Sequence, residues 1–289
     1  DGIVLYGDTN STLAGAIAAA KLHVPIVHIE AGLRSFNKSM PEEINRICCD
    51  HCSTLLFSPT TTGYNNLVNE GFKTDNKKPF TINNPGIYHC GDVMYDNSKH
   101  FSEIAEKKSD ILERLEVKEY TLCTIHRDSN TDQPQRLTAI FESIIEVSKE
   151  AVVVLPLHPR TAKLLKTNLS AENQEKLFNS ENIKLIPPVS FLEMIELERN
   201  AMLIMTDSGG VQKESYFFKK PCIILRPETE WVEIVKTGSA VLADADKQRI
   251  LDSWKQFKTT PPTDFPEIFG NGKAAEFMLE QMWKSSLNN

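Results

Sequence analysis

The residues of this chain best suited to chemistry form two groups, a set of carboxylates early in the sequence and an anion-binding turn late in it. Asp207-Ser208-Gly209-Gly210 closes the apolar run Ala201 to Met205 and leads into a polar helical segment. Paired glycines let a backbone turn tightly and approach a ligand, and the amides at a helix start are positively polarised, so this turn suits a phosphate. Glu214, one turn into that helix, is placed to accept hydrogen bonds from sugar hydroxyls. The plainer alternative is an ordinary strand-to-helix turn with Ser208 as its cap.

Polar residues follow other apolar runs in the same way: Gly7-Asp8-Thr9, His28-Ile29-Glu30, Thr124-Ile125-His126-Arg127, Leu157-His158 and Arg226-Pro227-Glu228-Thr229-Glu230. Singly, each has a structural explanation. Asp8 reads as a helix cap, Glu42 as an acid favouring the helix dipole behind Pro41, and His126 as a core histidine. As a set they separate by charge. Asp8, Glu30, Glu42 and Glu43 lie in the early part of the chain, whereas His126, Arg127 and His158 accompany the Ser208-Gly209-Gly210 turn. Carboxylates on one wall of a cleft and a phosphate seat on the other suit proton transfer on a substrate held by its phosphates.

The elements that must position these groups alternate. Short apolar runs predict strands at Gly2 to Tyr6, Val24 to Ile29, Thr54 to Ser58, Tyr120 to Ile125, Val152 to Leu157, Ile183 to Ile186, Met202 to Met205 and Cys222 to Leu225. Helical patterns fall between them at 11–22, 41–52, 62–70, 135–148, 189–199 and 210–218. This predicts an α/β fold of doubly wound parallel sheets, with ligands outside the carboxyl ends of the strands. A Lys- and Glu-rich helix after Gly91-Asp92-Val93-Met94 marks a boundary, giving domains at 1–98 and 99–271. The C-terminal helix at 272–289 is able to pack back on the first. Gly2 to Tyr6 reads as an interior strand, so the first domain, with three or four strands, is expected to be incomplete.

Composition narrows the function. A formal net charge of −7 over 289 residues disfavours nucleic acid or an anionic membrane as partner. No run of about eighteen apolar residues and no signal-peptide pattern is present, which predicts a cytoplasmic protein. Cys48, Cys49 and Cys52 lie at helical spacing beside His51 without a second ligand pair, so buried thiols rather than a metal site are expected. Cys123 and Cys222 should be core.

Taken together, Gly7-Asp8-Thr9, His28-Ile-Glu30-Ala-Gly-Leu-Arg34, Met40-Pro41-Glu42-Glu43-Ile-Asn-Arg46, Thr124-Ile-His126-Arg127, Thr206-Asp207-Ser208-Gly209-Gly210-Val-Gln-Lys-Glu214 and Thr229-Glu230-Trp231 resemble the non-hydrolysing UDP-N-acetylglucosamine 2-epimerases over almost the whole chain. The resemblance implies two Rossmann-like domains of the glycosyltransferase-B type facing across a cleft, a UDP-sugar substrate, usually a homodimer, and no cofactor or metal. It implies inversion at C2 by elimination and return of UDP, a step supplying bacterial surface polysaccharide precursors. Asp8, Glu30 and Glu42 then serve proton abstraction and return, with His126 near the departing diphosphate. Ser208, Gly209 and Gly210 contact the diphosphate, Glu214 the ribose, and Arg226 and Glu230 flank the uridine side. Arg127, Glu43 and His158 match places where some members bind a second, activating UDP-GlcNAc. The family's opening strand and Gly-Thr-Arg-Pro-Glu motif have no counterpart here, from which about the first quarter of the protein is expected to be missing and the chain poorly active or inactive. Asp128-Ser129-Asn130 and Trp231 depart from the family pattern and bear on sugar specificity. Rival readings are a hydrolysing epimerase, an epimerase of a diacetamido uronic acid sugar, a retaining glycosyltransferase and a UDP-sugar sensor.

Overall fold

The computed structural model describes residues 1–286, and the end of the predicted C-terminal helix, 287–289, lies outside the described residues. The chain divides into two compact units, Asp1–Asn97 with the segment from Glu267 onward, and Ser98–Pro266. The second crossing falls at Pro266 because the chain is already tied to the first unit by Phe269, whose carbonyl accepts from Asp92 N at 3.0 Å.

The first unit carries a four-stranded parallel sheet in the order β1 (Ile3–Tyr6), β2 (Ile26–Ile29), β3 (Leu55–Ser58), β4 (Gly86–His89). Leu55 and Phe57 pack on Ala274 and Met278 of the C-terminal helix Ala274–Ser286. Leu5 and Ile26 pack on Ala16, Ala19 and Cys49 from the helices Asn10–Lys21 and Pro41–Cys52. β1 lies at the sheet edge, where Val4 and Tyr6 are exposed.

The second unit carries six parallel strands: β5 (Tyr120–Thr124), β6 (Val152–Pro156), β7 (Ile183–Ile186), β8 (Leu203–Thr206), β9 (Cys222–Ile224) and β10 (Ala240–Leu242), ordered β10-β9-β8-β5-β6-β7. Its inner strands β5, β6 and β8 are buried and largely apolar because helices cover both faces, whereas the edge strand β7 carries Lys184. Cys123, Val153, Leu155, Met205 and Ile223 face the helices Pro134–Val147 and Lys247–Thr259, while Leu122, Val154 and Ile204 face Ile111, Leu197 and Val211. Each fully buried Leu, Ile or Val contributes about 1.5–3 kcal/mol. The strand order runs outward in both directions from the β5–β8 pair, which makes their carboxyl ends the switch point where ligands bind in such sheets.

β4 and β10 are strands that the apolar runs did not predict. Gly86 follows a stretch rich in turn residues, and β10 has three residues. The helix predicted from Val189 begins at Phe191 instead, because Ser190 and Glu193 form a reciprocal capping box.

Candidate active site

In the first unit the strand-end acids rest on a buried ionic framework. His28 and Asp50 are both fully buried, with His28 Nδ1 at 2.7 Å from Asp50 Oδ1 and its Nε2 at 3.0 Å from the carbonyl of Gly7. Both ring nitrogens face acceptors, an arrangement that an imidazolium satisfies. Burial alone would lower its pKa, but the hydrogen bond and charge of Asp50 outweigh this and hold it above 6.5. Burial likewise pushes Asp50 up, and His28 with Arg34 brings it below 3.8. Arg34 reaches Asp50 Oδ2 at 2.8 Å and grips Glu70 with two bonds of 2.6 and 2.7 Å. Asp50 Oδ2 also accepts from Gly32 N at 3.1 Å.

This framework fixes both turns that carry the acids. Gly7 precedes Asp8, and Gly32 follows Glu30 in a space where an added Cβ would lie 2.2 Å from the carbonyl oxygen of Gly63. Glu30 itself holds φ at 75°. A glutamate in that region costs about 1–3 kcal/mol and persists only where its surroundings enforce it, a pattern common at active sites. Its carboxylate lies over the first turn, with Oε2 3.5 Å from where a Cβ on Gly7 would stand. Asp8 is half-buried and pairs with Arg46 Nη2 at 2.6 Å, while Arg46 Nη1 lies 3.3 Å from Glu43. Asn45 holds the Asp8 carbonyl at 2.8 Å.

Glu42 and Glu43 behave differently although adjacent. Glu43 is buried and accepts from the backbone of Ser35 at 2.8 Å and of Phe36 at 3.0 Å, clamping the 35–36 loop. Glu42, in the first turn of Pro41–Cys52, is half-buried.

In the second unit one carboxylate organises the switch point. Asp207, fully buried, accepts from the backbone N–H of His126 at 3.1 Å and of Arg127 at 3.1 Å, and from the Asn130 side chain at 3.0 Å. His126 Nδ1 lies 3.3 Å from the same carboxylate with the ring half exposed. Asn130 passes the connection to Arg136, which binds Asp244. Ser208 is the N-cap of the helix Gly209–Phe217: its Oγ accepts from Val211 N at 3.4 Å, and its own N–H is held by Thr206 at 2.9 Å. At Gly209 a Cβ would meet Glu230 Oε1 at 2.7 Å, so a side chain there would displace the Glu230 carboxylate. Glu230 pairs with Arg226 at 3.1 Å, both nearly buried. Lys213 is buried, its ammonium 4.2 Å from the centre of the Trp231 ring.

At the carboxyl ends of β5 and β6 is a cavity of about 360 Å³ lined chiefly by Ile125, Pro156, Pro188, Val189, Phe191 and Met194. His126 and His158 border it together. His158 caps the helix Pro159–Asn168 by accepting from Arg160 N at 3.3 Å, and Arg160 binds Asp132 at 2.7 Å. Cys123 and Cys222 are core, and Cys49 is buried between Leu5 and Ile26.

Among the organising residues, Arg46, Asp50, Asn130 and Asp207 were not singled out as site residues. Arg46, Asn130 and Asp207 stand within the runs Met40 to Arg46, Asp128 to Asn130 and Thr206 to Glu214, and Arg46 is three residues from Glu43, a helical neighbour. The pairing of Asp207 with Asn130 spans 77 positions and leaves no local pattern.

The architecture is of the glycosyltransferase-B-like class, two parallel-sheet α/β units. Residues 1–282 match the family model of UDP-N-acetylglucosamine 2-epimerase. A UDP-N-acetylglucosamine 2-epimerase homolog of Methanococcus maripaludis is 46% identical, over 97% of this chain and 74% of its own length. The UDP-2,3-diacetamido-2,3-dideoxy-D-glucuronate 2-epimerase of Pseudomonas aeruginosa is 44% identical, over 98% and 74%. The crystal structure of Methanocaldococcus jannaschii UDP-GlcNAc 2-epimerase in complex with UDP-GlcNAc and UDP superposes with a TM-score of 0.84 at 39% identity, covering 98% of this chain and 76% of that one. The chain belongs to the UDP-N-acetylglucosamine 2-epimerase family.

Proposed function

We propose that the chain is an isomerase interconverting UDP-GlcNAc and UDP-ManNAc by elimination and re-addition of UDP. The observation that carries this reading is the strained Glu30 beside the Asp8 turn, a costly arrangement that a purely structural carboxylate does not need. A carboxylate removes the C2 proton while the C1–O bond breaks and its electrons leave with UDP, forming a C1=C2 double bond. UDP then attacks C1 again as a proton reaches C2 from the opposite face. Asp8, Glu30 and Glu42 share these two placements. His126, with Ser208, Gly209 and Gly210, holds the diphosphate as its charge develops, in the manner of an oxyanion site. Glu214 receives the ribose hydroxyls, Arg226 and Glu230 flank the uridine side, and the apolar cavity accommodates the flat base.

Arg127 and His158 remain the candidates for an activator contact. Glu43 is a weaker one, because its carboxylate already holds the 35–36 loop and Arg46. The chain acts as a homodimer, which a solution mass of twice 32.6 kDa would support. Its six free cysteines suit the reducing cytoplasm. No helix among the described residues is long and apolar enough to cross a membrane.

Incubation with UDP-GlcNAc followed by NMR of the products tests the reading. UDP-ManNAc supports it, and free ManNAc with UDP indicates hydrolysis. The 44% identity to the Pseudomonas enzyme favours a second reading, an epimerase of a UDP-diacetamido uronic acid. Turnover of that sugar with none of UDP-GlcNAc would establish it.

A further inference from the structure

The carboxyl ends of four neighbouring strands in the second unit are tied together through one side chain, Asn130, in the short helical turn Asp128–Thr131 that follows β5. Its Nδ2 donates to Asp207 Oδ2, just beyond β8, at 3.0 Å and to the carbonyl of Leu225, just beyond β9, at 2.8 Å. Its Oδ1 accepts from Arg136 Nε at 3.1 Å and from Nη2 at 2.9 Å. Arg136 in turn reaches Asp244, just beyond β10, through Nη1 at 3.2 Å and also through Nη2. Asn130 and Asp207 are fully buried, and Arg136 and Asp244 are half-buried.

A side-chain amide has one donating and one accepting end, and the neighbours of Asn130 settle which way it lies. Both groups at Nδ2 are acceptors and both at Oδ1 are donors, so a reversed amide would set like against like at every contact. The guanidinium therefore decides which end Asn130 turns to Asp207. That carboxylate also holds the N–H groups of His126 and Arg127, each at 3.1 Å. Displacing Asn130 would leave a buried carboxylate short of a donor and let the backbone bonded to it shift.

Arg136 gains nothing from its own helix. It lies in the first turn of Pro134–Val147, where the amides are positively polarised and a cation is disfavoured. Its partner Asp244 holds φ at 56°, and the N–H groups of Ala243 and Asp244 both bond to the carbonyl of Ile224. The acid is thereby fixed to the end of β9, and its hydrogen bonds with Arg136 bring its pKa below 3.8.

We propose that Arg136 is a positioning residue for the diphosphate: anchored on Asp244, it orients the Asn130 amide, which through Asp207 fixes the His126 and Arg127 backbone where the phosphates bind. The inference rests on the reading of His126 as a diphosphate contact, and it assigns Arg136 no contact with the nucleotide.

Calorimetric titration of the full chain with UDP, at a temperature where circular dichroism shows each variant fully folded, tests this. Arg136→Met keeps a long side chain without its donors and should weaken UDP about tenfold. Asp244→Asn leaves the bonds to Asn130 in place and should weaken it about threefold or less. An Arg136→Met protein that melts earlier but binds UDP within about twofold of the parent would show a purely structural role and overturn the inference. So would a larger loss in Asp244→Asn than in Arg136→Met. A double-mutant cycle with Asn130→Ala traces the route. In that background Arg136→Met should change UDP affinity by less than about twofold, whereas the full loss added to that of Asn130→Ala would mean that Arg136 acts elsewhere. His126→Ala separates the two layers. If it binds UDP as the parent does, His126 does not meet the diphosphate, and the inference falls with that reading. If it weakens UDP while Arg136→Met does not, the reading stands and the inference alone fails.

Discussion

Behind Asp8 and Glu30 in the first unit stand His28, Asp50 and Arg34, a chain of alternating buried charges that ends on the exposed Glu70, whereas behind His126 and Ser208 in the second stands one carboxylate, Asp207, that engages mainly backbone N–H groups. The contrast follows from what each edge has to present. The first must display carboxylates close together, so cations are spent underneath to tether them: Arg46 on Asp8, and the His28 ring under the Gly7 turn. The second must display donors to an anion. A cation beneath would add charge but no geometry, while a buried acceptor pulls the 126–127 backbone into one fixed shape.

This comparison sets the largest expected effect. Asp50→Ala leaves the His28 imidazolium and Arg34 buried without their counter-charge and should cost about 3–5 kcal/mol in urea unfolding. Asp207→Ala strands neutral amides beside the half-exposed His126 and should cost less, about 1–3 kcal/mol. If Asp207→Ala proves the more damaging, the ionic framework of the first unit is not what holds it.

Function should divide the same way. Asp8→Asn, Glu30→Gln and Glu42→Gln should each lower turnover at least about a hundredfold while UDP binds as before. Turnover preserved in all three would remove the acid/base role from the first unit. Gly209→Ala, which drives a methyl group into Glu230, should act through UDP affinity instead.

The pH dependence separates the units further. His28 has its pKa raised on folding, so the stability it contributes is complete below 6.5 and is lost as pH rises through the raised value. Asp50 has its pKa lowered, so its contribution is present above 3.8 and is lost as pH falls through the lowered value. Thermal scans of the parent and His28→Asn should therefore converge as pH climbs from 6.5. Curves that stay parallel would mean that the ring is neutral.

These relations explain what the sequence could disclose. Strand ends were legible because an apolar run followed by Asp, Glu or His is a local signal, and that signal marked Asp8, Glu30, His126 and Ser208 together. The positive φ of Glu30 was not legible, since nothing about a glutamate predicts it; two residues on, Asp50 of the helix Pro41–Cys52 holds the N–H of Gly32, a contact that leaves no local pattern. The burial of Glu198 was invisible for a related reason. In a helix reading Phe191-Leu-Glu-Met-Ile-Glu-Leu-Glu-Arg-Asn200, a third glutamate looks like a solvated surface, yet Glu198 is fully buried. β10 escaped because three residues carry no period.

The smallest effect is also the one that separates the two readings of the Ser208 turn. As a cap alone, Ser208 contributes about 1 kcal/mol through the bond from Val211 N, so Ser208→Ala should lose roughly that much, and Ser208→Gly only a few tenths because glycine is itself tolerated at this position. If the hydroxyl also holds a phosphate, Ser208→Gly separates the two roles: stability stays near that of the parent while UDP affinity falls. Calorimetry and denaturation on that one variant suffice. Unchanged UDP affinity would reduce Ser208 to its cap and leave the anion to His126 and the glycine amides, whereas a fall in affinity at near-constant stability would mean that a single oxygen both starts the helix and meets the ligand at its end.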